Sequence, residues 1–122
     1  MTGVPVDRAD VVVGYAPHPD GKPDPGEVVW AWLPYEDQPT LGKDRPGLVI
    51  GVVGPDVAIV PLTSKRHDGQ IPVGRGSWDR LRRVSYAKVD QLYRVPRSMV
   101  RREGSSLPMD VFSRVVAAVH TE

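Results

Sequence analysis

The chain has 122 residues, 40% of them hydrophobic, with 16 lysines and arginines against 15 aspartates and glutamates and no cysteine. This is the size of one small domain able to bury a modest core. The missing cysteines exclude a disulfide framework and thiolate metal sites, and His18, His67 and His120 are too scattered for a zinc motif, so no metal and no other cofactor is expected. No apolar run is long enough to cross a bilayer, and the N-terminus lacks the basic start and apolar block of a secretory signal; a cytoplasmic protein with no membrane partner is expected.

The net charge of +1 conceals a segregation. Residues 1–44 carry 3 bases and 8 acids, residues 45–122 carry 13 bases and 7 acids. Arg80, Arg82, Arg83, Lys88, Arg94, Arg97 and Arg101 crowd together with Trp78, Tyr86 and Tyr93 interleaved. Two readings fit equally: a nucleic-acid surface, or a solvated arginine face balanced by the acidic first part.

Residues 1–26 contain one short apolar run, Val11 to Val13, and then Pro17-His-Pro-Asp-Gly-Lys-Pro-Asp-Pro25, too rich in proline and glycine for regular structure. A partly flexible N-terminal arm is expected there, with the folded domain over 27–122. Glu27 to Leu33 follows as a strand with Trp30 and Trp32 on one face and Val29, Ala31 and Leu33 on the other. Both faces are apolar, which predicts a strand covered on both sides, its tryptophans packed in the core or at a subunit contact. Pro34 to Asp44 reads as a polar loop, a binding loop or a passive excursion.

Gly47 to Val53 and Val57 to Leu62 are short β-branched runs separated by Gly54-Pro55-Asp56, the chemistry of a tight hairpin turn. With the turn at one end, the other ends of the strands come together, so Arg45 should lie beside Thr63. A guanidinium beside the hydroxyls of Thr63 and Ser64 suits a phosphate. Lys65 to Gly69 is a charged turn, in which His67 is an ordinary solvated histidine or a participant in chemistry. Val84 to Val95 reads as one strand, placing Lys88 and Asp90 on the same face at i, i+2 spacing. From Pro108 to Val119 the period changes: Phe112, Val115, Val116 and Val119 fall on one face of an amphipathic helix. Pro108 suits its first turn, Asp110 its positive end, and the serines before it the exposed backbone donors. No phosphate-binding glycine loop and no GxSxG elbow is present.

Gly26-Glu-Val-Val, Lys43-Asp-Arg-Pro, Val60-Pro-Leu-Thr-Ser, Val89-Asp-Gln and Arg101-Arg-Glu-Gly occur in the order seen in MazF/PemK-family toxins of type II toxin-antitoxin systems. The chain resembles that family from Gly26 to near its C-terminus. The resemblance implies a mainly β fold, a small SH3-like β-barrel with a C-terminal helix. It also implies a homodimer, an antitoxin partner, and sequence-selective, metal-independent endoribonuclease activity on single-stranded RNA that arrests growth.

Carried over motif by motif, the resemblance makes Arg45 the arginine before proline that acts on the phosphate, and Thr63 the hydroxyl at the end of the Pro-Leu-Thr-Ser strand. The ribose 2′-hydroxyl would attack the adjacent phosphate. Arginine stays protonated and is a poor base, so Asp90 is expected to take the proton. Glu27, Lys43, Ser64, Lys65, Lys88 and Gln91 are expected to bind substrate. Two departures from the family pattern are visible: lysine stands at Lys88 where one branch has arginine, and Asp37-Gln-Pro-Thr-Leu-Gly42 replaces a Gly-x-Glu segment. The competing reading is a non-catalytic toxin or regulator that grips a protein target, as the CcdB toxins of the same barrel do.

Overall fold

The structure is a computed structural model and describes residues 3–15, 24–35, 38 and 40–120, the side chains at 102–104 and 120 excepted. His18, most of the proline-rich segment around it, and Asp37 lie outside the described residues. The strands are β1 (Val4–Pro5), β2 (Val12–Val13), β3 (Glu27–Pro34), β4 (Gly42–Val53), β5 (Asp56–Thr63), β6 (Ile71–Gly74), β7 (Ser85–Ala87), β8 (Tyr93–Pro96) and β9 (Arg101–Ser106); the helix α1 is Met109–His120. Every pairing is antiparallel, as short connections demand. The main strand order is β1-β8-β5-β4-β3-β9, with β2 beside β4 and β7 joining β5 to β6. The sheet is mainly β, capped by one C-terminal helix, and its path stays open instead of closing into a complete barrel.

The two apolar runs form the expected hairpin. Val53 pairs with Asp56 across a two-residue turn in which Gly54 takes φ +57°, a backbone state that glycine adopts without strain. Alternate residues of these strands serve opposite faces. Val28, Leu48, Ile50, Ala58, Val60 and Leu62 join one buried cluster; Val29, Leu33, Val49, Val57, Ile59 and Val95 join another. Because the sheet is covered on both faces, its strands read as continuous apolar runs. Phe112, Val115 and Val119 of α1 pack on the first cluster, each such side chain contributing about 1.5–3 kcal/mol of burial.

Three expectations change. The first half of the N-terminal arm is built into the fold: β1 pairs with β8 and β2 with β4, and Tyr15 stacks at 5.1 Å from Phe112 while its hydroxyl donates to the Leu107 carbonyl at 2.7 Å. Gly51 makes room for it, since a Cβ there would collide with the Val12 carbonyl. The run 84–95 is not one strand. It breaks after Ala87 into a turn, where the Gln91 N–H donates to the Lys88 carbonyl at 3.0 Å, and resumes as β8. Lys88 and Asp90 therefore do not share a strand face. Lastly, of the two readings of Trp30 and Trp32, core packing does not hold: both are only half-buried, and the core tryptophan is Trp78, whose indole N–H donates to Ser85 at 2.9 Å. The serines before the helix also have another use: they lie in β9, where Ser105 bonds Ser77.

Candidate active site

The β4/β5 ladder ends at the Gly47–Pro61 pair. Beyond it β5 leaves β4 and pairs with β7 through Leu62 and Thr63, while β4 stays with β3, Arg45 opposite Ala31. Extending the lost register by two residues places Arg45 across from Thr63. The strands part at this point, and a depression of about 350 Å³ opens between them.

Its lining unites residues that the sequence spreads over five segments. Lys43 and Arg45 come from β4, Thr63, Ser64 and Lys65 from the end of β5, His67 from the following turn, and Lys88 from the turn after β7. Trp78 is the buried floor. Thr63 Oγ1 accepts from the Lys65 N–H at 3.1 Å, and the Lys88 N–H bonds the Pro61 carbonyl at 2.9 Å, which ties that turn to β5. Arg45 lies with its guanidinium carbon 5.8 Å from the centre of the Tyr35 ring, a cation–π distance. Its Nε is buried without a hydrogen-bond partner.

The basic side chains are either ion-paired or unpaired, and both kinds line the depression, where Arg83 pairs with Asp79. Arg83, Arg94, Arg101 and Arg114 each pair with a carboxylate, namely Asp79, Asp56, Asp44 and Asp110. Among the described residues, Lys43, Arg45, Lys65 and Lys88 have no such partner. Four uncompensated cations around two hydroxyls attract a phosphate and supply donors for its oxygens. Part of the arginine cluster seen in the sequence is thus a set of internal ion pairs.

Other residues reach the site that the linear motifs did not indicate. Asp79 lines it, with side-chain exposure of 11%, and accepts from Arg83 Nε at 2.8 Å, from Arg83 Nη2 at 3.0 Å and from the backbone N–H groups of Leu81 and Arg83. The Arg83 hydrogen bond holds its carboxyl down at about 2, against an ordinary value of 3.8, so it stays an anion and a weak base. The i, i+4 spacing of Asp79 and Arg83 was visible, but their placement at the pocket depends on a loop with no periodic pattern. Past Trp30 the surface continues as a shallow groove toward Arg80 and Arg101.

Three expected site residues lie elsewhere. Glu27 is 3% exposed, with Oε2 accepting from the Asp24 N–H at 3.3 Å, and does not line the depression. Asp90 and Gln91 line a second groove that, among the described residues, shares only Tyr35 with the first. The turn at 88–91 sends Lys88 one way and these two the other.

No helix of the described residues is long and apolar enough to cross a membrane. A comparison with curated proteins gives no match. Solved structures with this fold include MazF (form I) from Deinococcus radiodurans, at 22% identity and TM-score 0.60 over 84% of this chain and 96% of that one. MazE-MazF (form III) of the same organism matches at 21% identity and TM-score 0.59, over 81% and 94%. The family profile described as PemK-like, MazF-like toxin of type II toxin-antitoxin systems matches residues 24–121. Since that match spans most of the chain, including every residue of the depression, the protein belongs to the PemK-like, MazF-like toxin family.

Proposed function

We propose that this toxin is an endoribonuclease that cleaves single-stranded RNA at the Arg45–Thr63 depression and arrests growth by doing so. The observation that carries the reading is the Arg45 guanidinium, in the same depression as Thr63 where β4 and β5 part, without an ion-pair partner among the described residues and with a buried Nε that has no hydrogen-bond acceptor. An acceptor brought by a ligand satisfies it. The ribose 2′-oxygen forms a bond to phosphorus and the bond to the 5′-oxygen breaks, leaving a 2′,3′-cyclic phosphate and a 5′-hydroxyl. Arg45 holds the crowded phosphorane through its fork of donors, Thr63 and Ser64 bond its oxygens, and Lys43, Lys65 and Lys88 screen its charge.

Two protons must move, one from the 2′-hydroxyl and one to the leaving oxygen. Asp90 lines the neighbouring groove and Asp79 is held as an anion by Arg83, so neither suits the task. His67 lines the depression, and a neutral imidazole nitrogen accepts a proton. We assign it the removal of the 2′-proton, while the leaving 5′-oxygen takes its proton from water. The positive charge the transition state needs comes from side chains.

The same reading gives the toxin a second copy of itself and an antitoxin as partners. An acidic antitoxin segment that orders on contact would cover the unpaired cations and displace RNA. Solved relatives that pair MazF with MazE support the antitoxin. Light scattering of the toxin alone and with its antitoxin checks both assemblies.

The first experiment incubates purified protein with a long single-stranded RNA in EDTA, beside Arg45→Ala and Thr63→Ala. Discrete fragments ending in cyclic phosphate, lost in Arg45→Ala and reduced in Thr63→Ala, are expected. Intact RNA from a protein that still arrests growth would replace this reading with the CcdB-like one, a grip on a protein target.

A further inference from the structure

The groove beyond Tyr35 has a volume of about 410 Å³. Pro5 to Arg8 form one side, and these residues precede the segment matched by the family profile. The turn at 89–92 forms the other side, with Pro34, Tyr35 and Val119 between. The N-terminal arm therefore supplies one wall of this groove.

At its wall stands a side chain whose bonding is incomplete. Gln91 is 6% exposed, and its Oε1 accepts from the Tyr93 hydroxyl at 3.1 Å. Its Nε2 is buried and has no partner. An unpaired buried donor costs about 1–3 kcal/mol, and native folds rarely keep one unless something else satisfies it. Asp7 and Asp90 stand at the lip, both exposed, with Arg8 beside them. Proline and aliphatic surfaces, Pro34 and Leu92 among them, line the remainder.

We propose that this groove is a base-reading subsite of the RNA site, and that it selects adenine or cytosine at a position flanking the cut. The proposal rests on the ribonuclease reading above. Tyr35 lines both depressions and lies against Arg45, so a strand whose phosphate sits on Arg45 reaches the groove across that ring. The groove does not suit a phosphate, because two carboxylates oppose one guanidinium. A largely apolar groove with one buried donor and a neighbouring carboxylate acceptor suits the edge of a base. Gln91 Nε2 donates to a ring nitrogen and Asp90 accepts from the adjacent exocyclic amine. Adenine presents that pair at N1 and N6, cytosine at N3 and N4, and uracil presents the reverse. The carboxylates also disfavour an acidic antitoxin segment here, which separates this groove from the cationic depression.

The test maps cleavage of a randomised single-stranded RNA pool in EDTA by the wild type, Asp90→Ala and Gln91→Leu. The wild type should prefer adenine or cytosine over uracil at one flanking position by roughly 10-fold or more, and both variants should flatten that preference while the other positions keep theirs. Asp90 is exposed in a turn, so Asp90→Ala, which removes the acceptor, decides the matter alone if Gln91→Leu does not fold. Variants that cleave with every preference unchanged overturn the subsite and leave the ribonuclease reading standing. Equal loss at all sites in Asp90→Ala, with a limb of the pH–rate profile gone, overturns it too by making Asp90 the proton acceptor. Variants that alter only inhibition by an acidic peptide assign the groove to a protein and overturn it. A wild type that leaves the pool intact sinks the ribonuclease reading itself.

Discussion

Two depressions adjoin at Tyr35, and their chemistry is opposite. One gathers Lys43, Arg45, Lys65 and Lys88 around two hydroxyls; the other has Asp7 and Asp90 at its lip and an unpaired amide donor in its wall. A single turn separates them, sending Lys88 to the first and Asp90 with Gln91 to the second. The difference shows that neighbours in sequence need not share a task. A lysine and an aspartate two positions apart face one way along a strand, yet a turn sends one to the cationic depression and the other to the neighbouring groove.

The sharpest way to break this comparison is Arg45→Ala, which should lower the single-turnover cleavage rate roughly 100- to 1,000-fold, the usual cost of losing a donor to the transition state. Arg45→Lys should restore little, since an ammonium lacks the bidentate fork. His67→Ala should cost roughly 100-fold and remove one limb of the pH–rate profile. A profile unchanged in shape would return the proton to another group.

Gly51→Val addresses the other depression. The new side chain would strike the Val12 carbonyl, so β2 should be displaced and stability should fall by about 1–3 kcal/mol in urea titration. Base preference should suffer more than cleavage itself, because the arm lines the second groove and not the first.

The smallest effect is expected from Asp79→Asn. Asp79 has a folded value of about 2, below its ordinary 3.8, so its bond to Arg83 stabilises the fold above about pH 4 and the gain disappears as pH falls through about 2. The Tm difference between wild type and variant should be small, as expected for a pair whose arginine is 55% exposed, and should close over that window.

Much of the first site was legible in the chain. Gly47 to Val53, Gly54-Pro55-Asp56 and Val57 to Leu62 predict a hairpin through short-range turn chemistry, and a hairpin determines which residues end up opposite. Val84 to Val95 misled because its β-branched and aromatic residues satisfy strand propensity throughout. The break at 88–91 depends on the Lys88 N–H bonding Pro61, a contact made by a distant strand. The arm misled similarly: Val4-Pro5 and Val12-Val13 are too short to show a period, and only the strands that receive them give them structure.

By itself the sequence determined the hairpin whose open end carries Arg45 and Thr63 into one depression, the amphipathic C-terminal helix, and, through ordered short motifs, the toxin family. These rest on local pattern, which the chain carries wherever it folds. Only the tertiary structure decided which cations remain unpaired, where the turn after β7 sends Lys88 and Asp90, and that the N-terminal arm walls a second groove. Such outcomes depend on contacts between residues far apart in the chain, and no local pattern encodes their distances.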